Sequence, residues 1–339
     1  MRFSGHLFLA LAALLAAIPA SPPATAQTTL VFALPTAADH PRNRAVARWA
    51  ARVAKASGGA LRIAVRSDAT DYTGIRMLSA VAEGAVDMAA PGWWHVARFA
   101  PDFRLPALPM FYGRERALFY SVFDGAAGRE LDARLEKALG VVVLGRRLDL
   151  GFGQIYLSAR AVKTYEDLKG LNIRVPGGGA DLARYLVFGA TPRRVAPADL
   201  KDAFRRKLFG GLLTTHLFVR DAALWEVGVR FAFLDNQVFY QYTPIVNRVR
   251  WAALPQQSRD LLAQSWEALV DDSRRIVAER QAAARAEAAR QGVAYVEATP
   301  DQRAAMRTRL MAEQPAIVKA LEMDADFIAR VQALLPTAK

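Results

Sequence analysis

Short hydrophobic segments alternate with amphipathic ones along the first half of the chain. Leu30 to Phe32 predicts a strand, and Asn43 to Lys55 carries its apolar side chains on one helical face. The segment 61–66, with alternating apolar positions, predicts the next strand. Further helix and strand pairs are expected around 75–81 with 86–89 and around 131–139 with 141–144. This alternation indicates parallel strands joined by crossover helices, which is an α/β sheet.

The middle of the chain continues the pattern without repeating the sequence. Thr164 and Asp167 have the spacing of a capping box at the start of a short helix, and Asn172 to Val175 predicts a strand followed by three glycines. The other elements predicted here are helices at Ala180–Phe188 and Pro197–Leu208 and strands at 231–234 and 239–246. The second of these strands is a candidate to return to the domain formed by the first half of the chain.

After Pro255 the pattern is helical only. An apolar stripe from Leu261 to Val277 predicts a long helix that continues to Ala289, and Thr299 begins another helix. The predicted architecture is therefore two α/β lobes with a helical tail.

The amino terminus has the pattern of a signal peptide. Arg2 precedes twelve uncharged residues from Leu7 to Ile18, which is too short to span a bilayer, a task that needs about 20 residues. Ala24 and Ala26 supply the small residues of a cleavage site, so residues 1–26 are expected to be removed before Gln27. A buried N-terminal helix is the alternative. No later segment is long and apolar enough to embed the mature chain in a membrane.

Composition restricts the chemistry. The 339 residues include 45 Lys and Arg against 32 Asp and Glu, a formal charge of +13, and no Cys. The charge favours an anionic partner, which could be nucleic acid, a membrane surface or a small acid, and export argues against nucleic acid. The absence of Cys excludes disulfides, thiolate nucleophiles and iron–sulfur clusters.

Motifs typical of enzymes are absent from the sequence, which has no G-x-S-x-G, G-x-x-x-x-G-K or H-E-x-x-H segment. His40, His95 and His216 lie far apart in the sequence, so neither a metal site nor a cofactor is expected. Asp271 and Asp272 are interpreted as solvated charges on the long helix. The remaining expectation is a ligand cleft between two lobes.

Arg174 is the strongest candidate for binding an anion. It lies in a strand that leads into a glycine run and a helix N-terminus, where a guanidinium and free backbone N–H groups favour a carboxylate or a phosphate. The alternative is an arginine at a strand edge that pairs with a surface acid.

The segment Ala161 to Pro176, A-V-K-T-Y-E-D-L-K-G-L-N-I-R-V-P, closely resembles the signature of the solute-binding proteins of TRAP (tripartite ATP-independent periplasmic) transporters, the DctP family. Four other runs also match the family pattern in order and spacing: Glu83–Met88, Leu105–Phe111, Gly189–Pro192 and Val246–Pro255. The similarity extends over the whole mature chain.

The resemblance implies a fold like that of type II periplasmic binding proteins, with two α/β lobes, a cleft between them and a long C-terminal helix that braces both. It also implies that residues 28–150 and 240–280 form lobe I, and that 151–239 and 281–339 form lobe II with the helical tail. Such a protein would be a periplasmic monomer that captures an organic acid and delivers it to the TRAP permease subunits without being an enzyme. Arg174 would then bind the ligand carboxylate.

Several positions depart from the family pattern. Gln154 stands where a second Arg is common, and Thr214 replaces a familiar amide. The candidate ligand-binding set is therefore Arg174 with Gln154 and Thr214 as hydrogen-bond donors, Trp93 and Tyr72 as pocket walls, Gly92 as space for a ligand, and Gln237. Fewer polar anchors and more aromatic rings favour an aromatic or otherwise apolar-bodied acid over a hydroxylated sugar acid. Packing under a loop is the alternative for Trp93 and Trp94.

Three rival hypotheses remain at the level of sequence. The same fold could present a bound ligand to a signalling receptor, the chain could be a periplasmic enzyme acting on a carboxylate, or its net charge could bind polyanions.

Overall fold

The computed structural model describes residues 27–158, 160–176, 179–195 and 199–336. The expected signal peptide, two glycines of the run after Arg174 and Pro197 lie outside these residues. The strands of the described part are β1 Thr28–Ala33, β2 Leu61–Arg66, β3 Met88–Ala89, β4 Val141–Val143, β5 Leu148–Leu157, β6 Asn172–Val175, β7 Thr191–Arg194, β8 Gly211–Thr214, β9 Phe231–Tyr242, β10 Ile245–Asn247 and β11 Ala294–Glu297. The α-helices of the described part are α1 Pro41–Ala56, α2 Ile75–Ala82, α3 Trp93–Val96, α4 Arg116–Phe123, α5 Ala126–Leu139, α6 Ala180–Val187, α7 Leu200–Arg205, α8 His216–Asp221, α9 Arg248–Ala253, α10 Gln256–Arg290, α11 Pro300–Met311, α12 Gln314–Ala320 and α13 Ala325–Ala333.

Two mixed sheets organise the chain. The first has the order β2-β1-β3-β10-β4, and the second has the order β11-β9-β5-β8-β6-β7. β1 runs parallel to β2 and β3, but β10 is antiparallel to β3 and β4, and β5 is antiparallel to β8 and β9. The strands predicted in the first half of the chain, β1 to β4, do run in one direction, because β10 is antiparallel to both β3 and β4. The antiparallel members, β10 in the first sheet and β5 against β8 and β9 in the second, were not predicted as such.

The predicted elements are largely present, with specific differences. The capping box at Thr164 is confirmed, although its helix is a short 3-10 helix at Tyr165–Leu168. The residues predicted as strands at 231–234 and 239–246 do lie in strands apart from 243–244, but the boundaries differ. One strand, β9, runs through the polar residues between the two segments and ends at Tyr242, and the expected return to the first sheet is made by the separate strand β10. Four strands were not predicted at all: β5, β7, β8 and β11.

α10 packs on elements of both sheets. Its Trp266 meets Trp49 of α1 edge to face, with ring centroids 5.2 Å apart. Further along the helix, Gln281 accepts a hydrogen bond from the backbone N of Leu217 and donates one to the carbonyl of Leu150. This helix therefore joins the first sheet's helical layer to the second sheet.

The C-terminal helices contact both halves of the chain. Gln314 accepts a hydrogen bond from the backbone N of Met110, while Arg309 donates to the carbonyl of Val187. The chain passes from the first sheet to the second between β4 and β5 and returns between β9 and β10. The division of the chain into two lobes at the expected limits remains a prediction.

None of the helices in the described part of the chain is long and apolar enough to cross a membrane.

Candidate functional site

A cavity of about 690 Å³ lies where the carboxyl ends of several strands meet. Segment 35–42 follows β1, segment 91–95 follows β3, and segment 213–221 covers the end of β8, and all three contribute to its wall. Arg174 and Pro176 at the end of β6 complete it from the second sheet. Because ligands of open α/β sheets bind outside the carboxyl ends of strands, this cavity is the candidate ligand site.

Arg174 lines this cavity and is almost fully buried. Its Nε donates to the carbonyl of Val195 over 3.1 Å, and no ion pair to it is found among the described residues. Burial lowers the pKa of Arg174, because a guanidinium removed from water without a counter-ion is destabilised. The arrangement differs from an arginine paired with a surface acid, and it leaves the charge available to a ligand.

Arg42 is a second guanidinium in the cavity wall, and sequence reasoning missed it. It is the second residue of α1, and burial is the main reason that its pKa is lowered. The pKa of His40 is lowered to about 3 and that of His95 to about 4, first by burial and then by the charge of Arg42. Both histidines are therefore neutral at ordinary pH, and the arginines carry the positive charge of the site.

An aromatic wall lies beside these charges. Trp94 meets Tyr240 edge to face at 5.1 Å and lies 5.8 Å from the ring of Tyr242. All three side chains line the cavity, and the hydroxyl of Tyr240 is buried without a hydrogen-bond partner among the described residues. The wall offers flat apolar surface together with one unused polar atom.

Trp93 and Gly92 have other roles than those expected from the sequence. Trp93 lies behind the wall, where it stacks on Tyr240 and donates its indole N–H to the carbonyl of Phe239 over 3.0 Å. Gly92 does line the cavity, but a Cβ atom built there would lie 2.3 Å from the ring of Trp94. Gly92 therefore leaves room for Trp94, and Trp94 takes the position in the wall that was expected for Trp93.

Gln154, Gln237 and Tyr72 do not line the cavity. Gln154 is buried, and both ends of its amide hydrogen-bond to residues of β9. Gln237 is fully buried and accepts a hydrogen bond from the hydroxyl of Tyr185 over 2.9 Å. Tyr72 lies under the guanidinium of Arg66. These three side chains were expected to face a ligand, but they lie outside the cavity wall.

The structure thus brings Arg174, Thr214 and Gly92 together in one wall and adds residues that the sequence reasoning did not use. Arg42 could have been found from its position, because it opens the helix that directly follows the first strand. Tyr240 and Tyr242 could have been found as alternate residues of one strand, which share a face.

The described residues contain no group of three or more His, Asp or Glu side chains placed to hold a metal ion.

Two α/β units around a cavity with buried cations and an aromatic wall define a binding protein of the two-lobed type. The family model for bacterial extracellular solute-binding proteins, family 7 (DctP), matches residues 32–319. The chain belongs to this family, so the resemblance to TRAP solute-binding proteins is confirmed, and it is a binding protein for transport and not an enzyme.

Curated relatives are similar at moderate identity. The 2,3-diketo-L-gulonate-binding periplasmic protein YiaO of Escherichia coli is 27% identical over 224 residues, covering 66% of this chain and 67% of the relative. The C4-dicarboxylate-binding periplasmic protein DctP of Rhodobacter capsulatus is 28% identical over 244 residues, covering 70% of this chain and 71% of that protein.

A solved structure supports the fold. The TRAP periplasmic solute-binding protein of Ochrobactrum anthropi superposes with a TM-score of 0.84 at 21% identity, covering 91% of this chain and 95% of the other. The expectation of a two-lobed fold like that of type II periplasmic binding proteins is confirmed.

Proposed function

We propose that the chain is a periplasmic solute-binding protein that captures an organic acid with an aromatic or otherwise apolar body. The observation that carries the proposal is Arg174, a buried guanidinium in the cavity wall with no acidic partner among the described residues. A carboxylate can accept two parallel hydrogen bonds from such a fork. Membership of the family and the acids that its curated relatives are named for support an acid as the ligand.

The aromatic wall supports an apolar body. Trp94, Tyr240 and Tyr242 present ring faces or edges to the cavity, together with the aliphatic side chains of Leu150, Leu213, Leu217 and Met77. A ligand with many hydroxyl groups would bury them against these side chains without partners, and each unpaired group costs about 1–3 kcal/mol. A flat hydrocarbon body gains from the same surface.

Delivery to a membrane permease completes the proposed function. Residues 28–150 with 240–280 would move as one lobe, and 151–239 with 281–339 as the other, closing on the acid before it is handed to TRAP permease subunits in the cytoplasmic membrane. Uptake of the acid by vesicles that contain the permease, driven by an ion gradient and not by ATP, is the expected result. Binding to a receptor kinase domain without uptake would instead favour the signalling alternative.

Calorimetry with a panel of acids tests the binding step. We expect aromatic monocarboxylates such as benzoate and phenylacetate to bind the mature protein more tightly than gluconate. Arg174→Ala should weaken that binding by tens to thousands of fold, because removing one member of a buried charge pair costs about 2–5 kcal/mol. Arg62→Ala, which removes an exposed arginine of β2, is the control. Unchanged affinity in Arg174→Ala would reject Arg174 as the anchor.

A further inference from the structure

Arg42 is held at the carboxyl end of β1 by the protein itself. The residue is 3% exposed, and its guanidinium donates to the carbonyl of Ala90 over 2.7 Å and to the hydroxyl of Thr36 over 3.0 Å. Its Cζ lies 4.0 Å from the ring centroid of Tyr242. These contacts fix the position of the group, but none of them neutralises its charge.

The buried arginines of the described residues divide into two classes. Arg147 pairs with Asp132, Arg184 with Asp181, and Arg274 with Asp124. Arg42 and Arg174 are equally buried and form no ion pair within the described residues. Both unpaired arginines line the cavity, and none of the three paired ones does. Because burying an unpaired charge is costly, the pattern indicates that the counter-ions of Arg42 and Arg174 come from a ligand.

The acids of the cavity wall do not supply this charge. Asp221 already pairs with Arg220 over 2.6 Å, and Asp39 is exposed at the rim without an ion pair in the described part of the chain. The Nε atom of Arg42 is also buried without a hydrogen-bond partner there. An acceptor that entered the cavity would satisfy this donor as well as the charge.

We propose that Arg42 is a second anion-binding residue, so that the ligand is an aromatic acid with two anionic groups, one bound by Arg42 and one by Arg174. This inference rests on the proposed function and makes the substrate class narrower. Arg42 follows a strand of the first sheet, whereas Arg174 belongs to the second sheet. A ligand with an anionic group at each end would therefore contact both sheets, and the aromatic wall would bind the ring between them.

Matched ligands test the charge requirement on the unmodified mature protein. The probes are phthalate, isophthalate and terephthalate, each compared by calorimetry with its own monomethyl ester, which keeps the ring and one carboxylate. We expect at least one dicarboxylate to bind tens of fold more tightly than its ester, which is the size of effect expected when a buried charge loses its partner. Affinities within about threefold for all three pairs would overturn the inference.

Variants then assign the effect to Arg42. Arg42→Gln should weaken binding of the dicarboxylate at least about tenfold more than binding of its ester or of benzoate, so that most of the preference is lost. Arg42→Lys, which keeps the charge, should restore part of the preference. The control is Arg44→Gln, two residues further along α1 and exposed. The thermal midpoints of all variants are measured so that a loss of folding is recognised.

The possible failures are distinguishable. If Arg42 only supports the fold, Arg42→Gln will weaken diacid and ester by the same factor or leave both unchanged, and the inference is overturned while the proposed function stands. If the wild-type protein binds none of the aromatic acids, with one carboxylate or with two, the proposed function fails together with the inference.

Discussion

Gln154 and Asp235 meet where β9 bulges away from β5. The pairing of the two strands shifts register at this point, and the Oε1 atom of Gln154 accepts hydrogen bonds from the backbone N of Asp235 and of Asn236. Asp235 is fully buried and accepts hydrogen bonds from the hydroxyl of Tyr112 and the amide of Gln237. Its other carboxyl oxygen has no partner among the described residues. The bulge therefore buries an acid that is only partly satisfied.

The charge state of Asp235 should make stability depend on pH. Burial raises its pKa to about 7, against the opposing effects of Tyr112, Gln237 and Arg184. The folded state then retains a proton that the unfolded state loses near pH 4, so this residue's contribution to stability is lost as the pH rises from about 4 to about 7. We expect the free energy of unfolding of the wild type, measured relative to Asp235→Asn, to fall between pH 5 and pH 8.

Urea denaturation of both proteins at several pH values measures this difference. His40, His95 and His216 have lowered pKa values and favour the opposite trend, but they are present in both proteins and cancel. Asp39→Asn, at an exposed acid, serves as the control. A difference that does not vary between pH 5 and pH 8 would show that Asp235 is ionised throughout the range.

Sequence reasoning locates a residue correctly where its position in an element decides which edge of the sheet it reaches. Arg174 was expected at the cavity and lines it, because a strand that ends at a helix places its last side chains at that edge. The same argument would have located Arg42, which was missed. Gln154 was misplaced because the direction of its side chain depends on the bulge in the neighbouring strand. A register shift involves residues about 80 positions away, and no local pattern reports it.

Among the elements, long amphipathic helices were predicted better than strands. The apolar stripe from Leu261 to Val277 repeats over several turns, so a long helix is evident from periodicity, and the observed helix extends beyond the stripe at both ends to 35 residues. β5 is buried along most of its length, and its two glycines and Asp149 interrupt any alternation. β7 and β8 have only four residues each. A strand that is short or covered on both faces lacks the period of two on which prediction depends.

One amide of α10 makes two hydrogen bonds to the second sheet and its adjoining helix. The side chain of Gln281 hydrogen-bonds to the backbone of Leu217 in α8 and of Leu150 in β5, so Gln281→Ala leaves both groups without their partner. We expect a loss of about 1–3 kcal/mol in the free energy of unfolding, because a buried donor without an acceptor keeps its full desolvation cost.

Chemical denaturation of Gln281→Ala measures the loss. Gln264→Ala, at an exposed position of the same helix, should change stability by less than about 0.5 kcal/mol. Equal effects in the two variants would mean that Gln281 contributes only helix propensity and does not join α10 to the sheet.

At the scale of the whole molecule, hydrophobic packing connects the two sheets. The largest cluster of buried apolar side chains includes Ala33 and Ile245 of the first sheet and Ile155 and Phe233 of the second. The sequence has no Cys, so no disulfide contributes to this connection. The net charge of +13 predicted an anionic partner only in general terms. The arrangement of the buried arginines makes that prediction specific, because it separates the charges that the fold neutralises from the two that face the cavity.

The shared core predicts a single cooperative unfolding transition. Although two sheets could unfold independently, both contribute side chains to one apolar cluster, and α10 contacts both α1 and β5, so opening either sheet alone would expose apolar surface of the other. Scanning calorimetry of the mature protein should therefore give one peak with equal calorimetric and van't Hoff enthalpies. Trp266→Ala, which removes the α10 side chain packed on Trp49, should lower the midpoint of that peak without splitting it.

A bound acid at a hundred times its Kd should stabilise the whole unit by about 2.7 kcal/mol. Two resolved peaks, of which the acid moves only one, would mean that the sheets unfold as separate domains and that the cavity belongs to one of them.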